Sequence, residues 1–198
     1  MSINEYIAKQ FANPRGLGGR IVMKAMNRQN VAMYDATEEL LHVRRSDTVL
    51  DIGCGNGIML ERLARACDCR LIGTDISEDV LETAKHRLAD KKAEFFCCPV
   101  DSMPIESATV DKTFTINTIY FWDDLAKGFG EIARVLKTDG LFVGTHYTNQ
   151  ALEAYSHTQF GYRKHPEEEV ISAAKSAGFR TEIEPIMNGR AYCLICRR

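Results

Sequence analysis

The sequence predicts an α/β fold in which a doubly wound, mostly parallel seven-stranded sheet carries helices on both faces. From residue 47 onward, short apolar runs alternate with helical segments, as in repeated strand–helix–strand units. Asn188-Gly189 separates the last two runs as a hairpin turn, which makes the last strand antiparallel. The 198 residues suffice for one domain with a full hydrophobic core.

The N-terminal 46 residues are predicted to be helical and to precede the sheet. Asn13 to Gly19 is rich in glycine and interrupts the helices, and apolar residues at helical spacing follow it. We interpret residues 1–46 as a helical lid over the carboxyl ends of the strands and residues 47–198 as the domain that carries the sheet. Aromatic residues of this segment could line an acceptor pocket or belong to the core: Tyr6, Phe11 and Tyr34.

The lid segment is basic. Through residue 30 it contains five Lys or Arg residues and one Glu, a net charge of +4. Arg20, Lys24 and Arg28 are spaced to share one helical face. Such a face could attract an anionic acceptor or, with less support, RNA, and the simplest interpretation is a solvated helix surface.

The strands and helices of the sheet follow in chain order. Strands are predicted at 48–52, 70–75, 93–98, 110–117, 140–147, 179–186 and 191–196, and helices at 58–66, 78–89, 124–136 and 166–177. Ser77 is a suitable N-cap because Glu78 and Asp79 follow it in the first turn. Ligands of such sheets bind at the carboxyl ends of the strands, so the residues that follow strands should form the site.

Composition excludes several classes of protein. The 25 Lys and Arg residues against 27 Asp and Glu residues give a net charge of −2, which disfavours bulk attraction to nucleic acid or anionic membranes. No apolar run is long enough to span a membrane, and no hydrophobic signal core is present, so a cytoplasmic protein is expected. The seven cysteines are then expected to be reduced. Cys193 and Cys196 should point to opposite faces of a strand, and we predict no metal site.

A glycine-rich loop follows the first predicted strand. Asp51 precedes three glycines in a GxGxG pattern, and Ile58 occupies the position where a dinucleotide fingerprint requires glycine. Glycines at these positions permit a tight turn and a close approach of the backbone to a ligand. The carboxylate of Asp51 would repel a pyrophosphate and attract an ammonium group, so the loop suits a cofactor that carries an amino acid.

Asp75 ends the second predicted strand, 18 residues after Gly57. A carboxylate at this place can accept hydrogen bonds from both hydroxyls of a ribose. NAD and S-adenosylmethionine (SAM) both contain that ribose, so Asp75 indicates a nucleoside without choosing between them. Its alternative role is that of a helix-capping acid before Ser77.

Four segments at strand ends resemble the motifs of class I SAM-dependent methyltransferases, most closely the small-molecule branch typified by ubiquinone and menaquinone methyltransferases. They are Val49 to Gly57, Gly73 to Ser77, Val100 to Ile105 and Glu131 to Gly140, and the resemblance covers about residues 47–147. It implies methyl transfer from SAM to a small-molecule acceptor, with S-adenosylhomocysteine as the product. It does not cover the first 46 residues.

The same resemblance implies a role for the loop after the first strand. Asp51 would reach the amino group of the methionine moiety of SAM. The backbone of the loop would pass beneath that moiety at Gly53, Cys54, Gly55 and Gly57.

The later motifs would hold the nucleoside of SAM. Asp75 would bind the ribose, and Ile76 would pack on the adenine. Asp101 would accept a hydrogen bond from the adenine amino group, beside the backbone of Ser102. Asn117 would lie close to the methionine end and the transferred methyl group.

The acceptor side carries a weaker signal. Methyl transfer from a sulfonium often needs only alignment and desolvation, and a base helps when the nucleophile is protonated. The catalytic candidates are His146 and Tyr147 after the fifth predicted strand and Tyr120 after the fourth. His146 could act as a base because the reference pKa of histidine is near neutrality.

Other functions stay open at this point. One is a non-catalytic module that binds SAM or another metabolite. Another is a methyltransferase for an amine of a macromolecule, although the segment from Asn117 to Tyr120 lacks both prolines of the corresponding motif. A short-chain NAD-dependent oxidoreductase is disfavoured because no tyrosine is followed four residues later by lysine. The sequence does not predict the acceptor, the methylated atom or the oligomeric state.

Overall fold

The computed structural model describes residues 2–198, apart from the side chain of Arg20. Three helices precede the sheet: α1 (Ile3–Ala12), α2 (Gly16–Gln29) and α3 (Val31–Leu41). The hydroxyl of Ser2 accepts a hydrogen bond from the N–H of Glu5 and so caps the start of α1. Gly16, with φ of +57°, allows the chain to turn from α1 into α2.

Seven strands form one sheet in the order β3-β2-β1-β4-β5-β7-β6. They are β1 (Thr48–Ile52), β2 (Arg70–Asp75), β3 (Ala93–Cys97), β4 (Val110–Ile116), β5 (Leu136–Tyr147), β6 (Arg180–Ile186) and β7 (Ala191–Arg197). The strand β7 is antiparallel to both β5 and β6, and the other neighbouring pairs are parallel. The predicted fold class is therefore confirmed. The strand order reverses between β1 and β4, where sheets of this type bind ligands.

Helices cover both faces of the sheet, and each face has its own hydrophobic core. The remaining helices are α4 (Ile58–Ala66), α5 (Glu78–Arg87), α6 (Leu125–Val135), α7 (Asn149–Glu153) and α8 (Glu167–Ser176). One core joins α6 and α8 to Leu50 and other residues of the sheet. The other core joins α3, α4 and α5 to Val49 on the opposite face. Adjacent residues of β1 thus enter different cores, as the alternation of side chains along a strand requires.

Two parts of the chain differ from the boundaries that the sequence predicts. The strand β5 begins at Leu136, directly after α6, whereas the sequence places its start at 140. The sequence predicts no helix or strand between β5 and α8, whereas this segment forms α7 and a 3-10 helix at Ser156–Gln159. This second difference matters because the segment reaches the functional site.

The cysteines are all free thiols, and Cys193 and Cys196 enter different cores, on opposite faces of the sheet. Among residues 2–198, no cluster of three or more His, Cys, Asp or Glu side chains is placed to hold a metal ion. No helix in this range is long and apolar enough to cross a membrane.

Candidate functional site

Two adjoining cavities lie at the carboxyl ends of the central strands. The strand-end cavity has a volume of about 190 Å³, and the aromatic cavity beside it has a volume of about 40 Å³. Phe11, Met26 and Asn117 line both of them, so the two cavities share a wall. The N-terminal helices supply two of these three residues, and the end of β4 supplies the third.

The strand-end cavity is built from residues that follow four parallel strands. Its lining from these strand ends consists of Ile52, Gly53, Gly55, Thr74, Asp75, Ile76, Cys98, Pro99, Val100, Asp101, Ile116, Asn117 and Thr118. Met23 and Met26 of α2 cover this lining from the N-terminal side. Among the side chains that the structure describes, four aspartates and no Lys, Arg or His line the cavity, so its charge favours a cationic ligand.

Asp75 is held in place by backbone groups on both sides of the cavity. One carboxylate oxygen accepts a hydrogen bond from the N–H of Gly55, and the other accepts one from the N–H of Ser77, each at 2.9 Å. Burial raises the pKa of Asp75, and these N–H groups partly offset that rise. Each oxygen has a second lone pair, so the carboxylate retains capacity for two further donors such as ribose hydroxyls. The bond to the N–H of Ser77, directly before α5, is the contact available to the alternative capping role. Ser77 itself occupies the predicted N-cap position, but its hydroxyl makes no capping bond to α5.

Asp51 lies beneath the glycine loop and is 4% exposed. Within the described residues its carboxylate takes part in no hydrogen bond and no ion pair. Burial, and then the neighbouring charge of Asp75, raise the pKa of Asp51 well above its usual range. A buried carboxylate in this state is costly until a cation or a proton neutralises it. An ammonium group would meet that requirement, but Asp51 itself is not among the residues that line the strand-end cavity.

The glycines of the loop divide into two kinds. Gly53 and Gly55 line the cavity with φ of +73° and +53°, and a Cβ atom on Gly55 would lie 2.7 Å from Cε of Met23. Gly57 instead is the residue directly before α4 and packs against the end of α5, since its added Cβ would meet Leu88, the residue after that helix, at 2.9 Å. Cys54 is buried in the core beside β2 and does not line the cavity. The first two glycines thus expose the backbone to a ligand, whereas Cys54 and Gly57 shape the loop.

The nucleoside end of the strand-end cavity contains two of the three residues that the sequence assigns to adenine. Ile76 is 48% exposed and lines the cavity, as does Asp101. Ser102 is exposed and is not part of the lining, although its N–H contacts the carbonyl of Pro99 at 3.3 Å. An apolar surface at Ile76 with an acceptor at Asp101 suits a purine that carries an amino group.

Asn117 is fixed at the boundary between the cavities. Its backbone has a φ of +59°, a region that asparagine adopts more readily than most residues. Its Nδ2 donates to Oδ1 of Asn30 at 3.2 Å, and the hydroxyl of Tyr120 donates to its Oδ1 at 3.2 Å. These contacts orient the amide where a ligand would pass from one cavity to the other.

The aromatic cavity is enclosed mainly by rings. Those that line it belong to Phe11, Tyr120, Tyr147, Tyr155, His157 and Tyr162. Phe11 stacks on His157 with ring centroids 4.7 Å apart, and Tyr120 stacks on Tyr162 at 5.6 Å. The lining contains no Lys, Arg, Asp or Glu among the residues that the structure describes. This surface suits a neutral, flat or apolar molecule.

The three catalytic candidates from the sequence have different surroundings. Tyr120 and Tyr147 line the aromatic cavity, and burial raises the pKa of both. The hydroxyl of Tyr120 accepts the N–H of Tyr147 at 2.6 Å. His146 is fully buried, lines neither cavity and packs edge-on against Tyr120. Burial lowers the pKa of His146 to about 3, so its position and its basicity both disfavour a role as base.

His157 is the residue that the sequence did not single out. It lies in the 3-10 helix after α7, lines the aromatic cavity and stacks on Phe11. Burial lowers the pKa of His157, so its imidazole is neutral at pH 7 and can accept a proton. The sequence feature that could have identified His157 is its position in the segment after β5, the strand whose end also carries the predicted candidate His146.

The turn between α1 and α2 is tied to the start of α5. The hydroxyl of Ser77 donates to the carbonyl of Pro14 at 2.6 Å, and the N–H of Gly16 donates to Oδ2 of Asp79 at 2.8 Å. These two bonds hold the N-terminal helices above the end of β2. Phe11, Met23 and Met26 therefore reach the cavities from that side.

Comparisons with known proteins identify related sequences. A family model described as a methyltransferase domain matches residues 50–144. The uncharacterized methyltransferase YdaC of Bacillus subtilis (strain 168) is 29% identical over 78% of this chain and 83% of its own length. The 24-methylenesterol C-methyltransferase 2 of Oryza sativa subsp. japonica is 27% identical over 71% of this chain. The matched region spans only 43% of that second relative.

Solved structures share the fold at low sequence identity. A putative methyltransferase in complex with the Haloferax volcanii Trm112 methyltransferase activator is 18% identical, with a TM-score of 0.82 over 100% of this chain and 99% of its own. Geranyl diphosphate C-methyltransferase from Streptomyces coelicolor, solved with S-adenosyl-L-homocysteine, is 16% identical with a TM-score of 0.73, covering 86% of this chain and 76% of its own. These relatives do not single out the ubiquinone and menaquinone branch.

Proposed function

We propose that this chain, which is a class I SAM-dependent methyltransferase, methylates a small neutral acceptor bound in the aromatic cavity. The observation that carries the proposal is the wall of Phe11, Met26 and Asn117 that the two cavities share. A molecule in the aromatic cavity would lie next to the end of the strand-end cavity that Asn117 borders. Proximity of this kind supplies much of the rate of a two-substrate reaction.

The residues of the strand-end cavity would hold SAM along its length. Asp51 would pair with the ammonium group, and Asp75 would accept the ribose hydroxyls. Gly53 and Gly55 would allow the backbone to approach the methionine moiety, and Asp101 would accept a hydrogen bond from the adenine amino group. When bound, SAM supplies an activated methyl group on a sulfonium, which four aspartates around the cavity accommodate.

The acceptor is proposed to be neutral because of what lines the aromatic cavity. No cationic side chain lies in the described lining to pair with an anionic acceptor, so the anionic option has no support there. Tyrosine rings and Leu152 present a mostly apolar surface, on which an aromatic ring packs well. A volume of about 40 Å³ excludes a folded macromolecule and admits an aromatic acceptor only if the surrounding rings move apart.

His157 is proposed to receive the proton of the acceptor. A neutral imidazole nitrogen in the cavity wall can accept the proton of a hydroxyl group as that oxygen becomes a nucleophile. The tyrosine hydroxyls around it stay protonated, because burial raises the pKa of Tyr120, Tyr147 and Tyr162. This arrangement favours a hydroxylated acceptor, such as a phenol, over an amine that needs no base.

The N-terminal helices are proposed to act as the lid of both cavities, as the division at residue 46 predicts. Phe11 stacks on His157 across the aromatic cavity, and Met23 and Met26 close the strand-end cavity. Excluding water from the reacting groups in this way strengthens every electrostatic interaction between them.

The test is a turnover assay with labelled SAM and a set of small phenols, beside a bulk protein and an RNA sample. His157→Gln should lower turnover about 10²- to 10⁴-fold while SAM affinity stays unchanged. His86→Gln, on the exposed surface of α5, is the matched control and should retain full activity. In the unmodified protein, turnover should fall as pH drops below the lowered pKa of His157, where the imidazole becomes protonated.

Three outcomes would contradict the proposal. Label in the bulk protein or RNA but in no small molecule would favour the macromolecular amine methyltransferase. SAM binding without any labelled product would favour the non-catalytic module. Full activity of His157→Gln would remove the proton-accepting role while leaving the acceptor cavity in place.

A further inference from the structure

Among the described residues, the most exposed large apolar side chains belong to the first two helices. Among the described residues, only Ile3, Leu17 and Ile21 are more than 70% exposed, and every other large apolar side chain is at most 48% exposed. Ile3 belongs to α1, and the other two belong to α2. Exposed apolar groups that cluster on one part of a surface mark an interaction site more often than scattered ones do.

The outer face of α2 combines these apolar groups with positive charge. Leu17, Ile21, Lys24 and Arg28 recur at spacings of three and four, so they lie along one side of the helix. The helix contains no acidic residue, and Lys24 and Arg28 form no ion pair with the residues that the structure describes. The opposite side of α2 is already used, because Met23 and Met26 line the cavities.

The charge of the whole chain is distributed unevenly with respect to this face. Residues 1–30 carry a net charge of +4 in a chain whose total is −2, which leaves −6 for the remainder. A negatively charged surface would therefore attract the N-terminal helices and repel the rest of the protein. Such a distribution orients a protein with one defined face toward that surface.

We infer that the outer face of α2, together with Ile3 of α1, docks on an anionic lipid bilayer. Leu17 and Ile21 would enter the boundary between head groups and acyl chains, and Lys24 and Arg28 would lie among the head groups. Apolar side chains beside basic ones, with no acid on the same helix, are the composition of helices that lie in a membrane interface. The inference concerns where the protein docks and stands whether or not the aromatic cavity binds an acceptor.

The experiment is co-sedimentation of the full chain with vesicles of phosphatidylcholine alone and with vesicles that also contain phosphatidylglycerol. Binding is expected only to the second kind and should weaken as salt screens the head groups. The double variant Lys24→Gln/Arg28→Gln should lower partitioning about 25-fold, since each basic residue near an anionic surface contributes about fivefold. Leu17→Ser/Ile21→Ser should also lose most of the binding, including the part that persists at high salt.

Matched controls come from exposed residues of the same types elsewhere on the surface. Ile183→Ser on β6 and Lys175→Gln on α8 should leave partitioning unchanged. All variants should keep the melting temperature and the SAM affinity of the unmodified protein, because none of the altered side chains lines the strand-end cavity. If a double variant loses vesicle binding and also has a lower melting temperature, the vesicle assay is run with Lys24→Gln and Arg28→Gln separately. Each single variant should then bind about fivefold more weakly at an unchanged melting temperature.

Several results would overturn the inference. One is equal binding to both kinds of vesicle, or no binding to either. A second is an RNA oligonucleotide that binds the unmodified protein and displaces it from the anionic vesicles, which would assign the basic face to nucleic acid. A third is a dimer in light scattering that Leu17→Ser/Ile21→Ser dissociates, which would assign the apolar face to a second copy of the chain.

Discussion

The strand-end cavity and the aromatic cavity share a wall, but the chain builds them in different ways. Most residues of the first cavity follow β1, β2, β3 and β4 directly, so the sheet itself brings them together. Rings of the second come from α1, from the turn after β4, from the end of β5 and from the segment between β5 and α8. The sheet topology thus determines the proposed SAM site, whereas the surrounding connections determine the proposed acceptor site.

The electrostatics of the two cavities differ as much as their construction. Asp75 lines the strand-end cavity, buried Asp51 lies near enough to be affected by its charge, and neither has a cationic partner among residues 2–198. The described lining of the aromatic cavity contains no Lys, Arg, Asp or Glu, and burial raises the pKa of Tyr120, Tyr147 and Tyr162 and lowers the pKa of His157, which favours their neutral forms. One cavity is thus prepared for a cation and the other for a neutral molecule. Substitutions in each cavity should affect one ligand and spare the other.

The largest effect is expected for Asp51→Asn. Removing one partner of a buried ion pair costs about 3–5 kcal/mol, so SAM affinity should fall more than a hundredfold in calorimetry. Acceptor binding in the aromatic cavity should be unchanged. Asp68→Asn, at an exposed carboxylate, should leave SAM affinity unchanged. An affinity within a few-fold of the unmodified protein would mean that Asp51 does not face the ammonium group.

The same substitution has an opposite effect on the protein without SAM. The folded-state pKa of Asp51 is raised above its unfolded value, so between these two values the folded state binds more protons. The free energy of unfolding therefore decreases as pH rises through that range. Asp51→Asn removes this decrease in the free energy of unfolding, so the variant should have a higher melting temperature than the unmodified protein at neutral pH. The difference between the two proteins should vanish below the unfolded pKa of an aspartate, about 3.9.

A smaller effect is expected for Asp75→Ala. Loss of hydrogen bonds to a charged acceptor costs about 1.5–3 kcal/mol, or about 10- to 150-fold in SAM affinity. The N–H groups of Gly55 and Ser77 also lose their acceptor, so the melting temperature should fall. Unchanged affinity in a folded variant would reduce Asp75 to a capping residue of α5. Adenosine, which keeps the ribose but lacks the ammonium group, should respond to Asp75→Ala and not to Asp51→Asn.

Asp51 and Asp75 are residues whose positions the sequence predicts, whereas the position of His157 in the aromatic cavity is not predictable from the sequence. The fold and the positions of Asp51 and Asp75 followed from local patterns, because each motif lies directly after a strand. His157 could not be found this way, since its role depends on stacking with Phe11, which is 146 residues earlier in the chain. His146 was selected by its place at the end of β5, but alternation along the strand turns its side chain into the core. Local periodicity predicts elements, whereas contacts between distant segments determine which polar side chains stay accessible.

The smallest effect, and the sharpest test of the comparison, is expected for Phe11→Leu. Phe11 lines both cavities and stacks on His157. Unlike the substitutions of Asp51, Asp75 and His157, Phe11→Leu should therefore weaken the binding of both SAM and the acceptor. An aromatic contact contributes about 0.5–1.5 kcal/mol beyond its buried area, which limits the loss of affinity for SAM or acceptor to roughly tenfold. A double-mutant cycle with His157→Gln should show coupling of that size.

By contrast, Asp51→Asn combined with His157→Gln should be additive within about 0.5 kcal/mol, because the two residues share no partner. Strong coupling in the second cycle would show that the two cavities act as one site, and the separation of donor and acceptor functions would then be wrong.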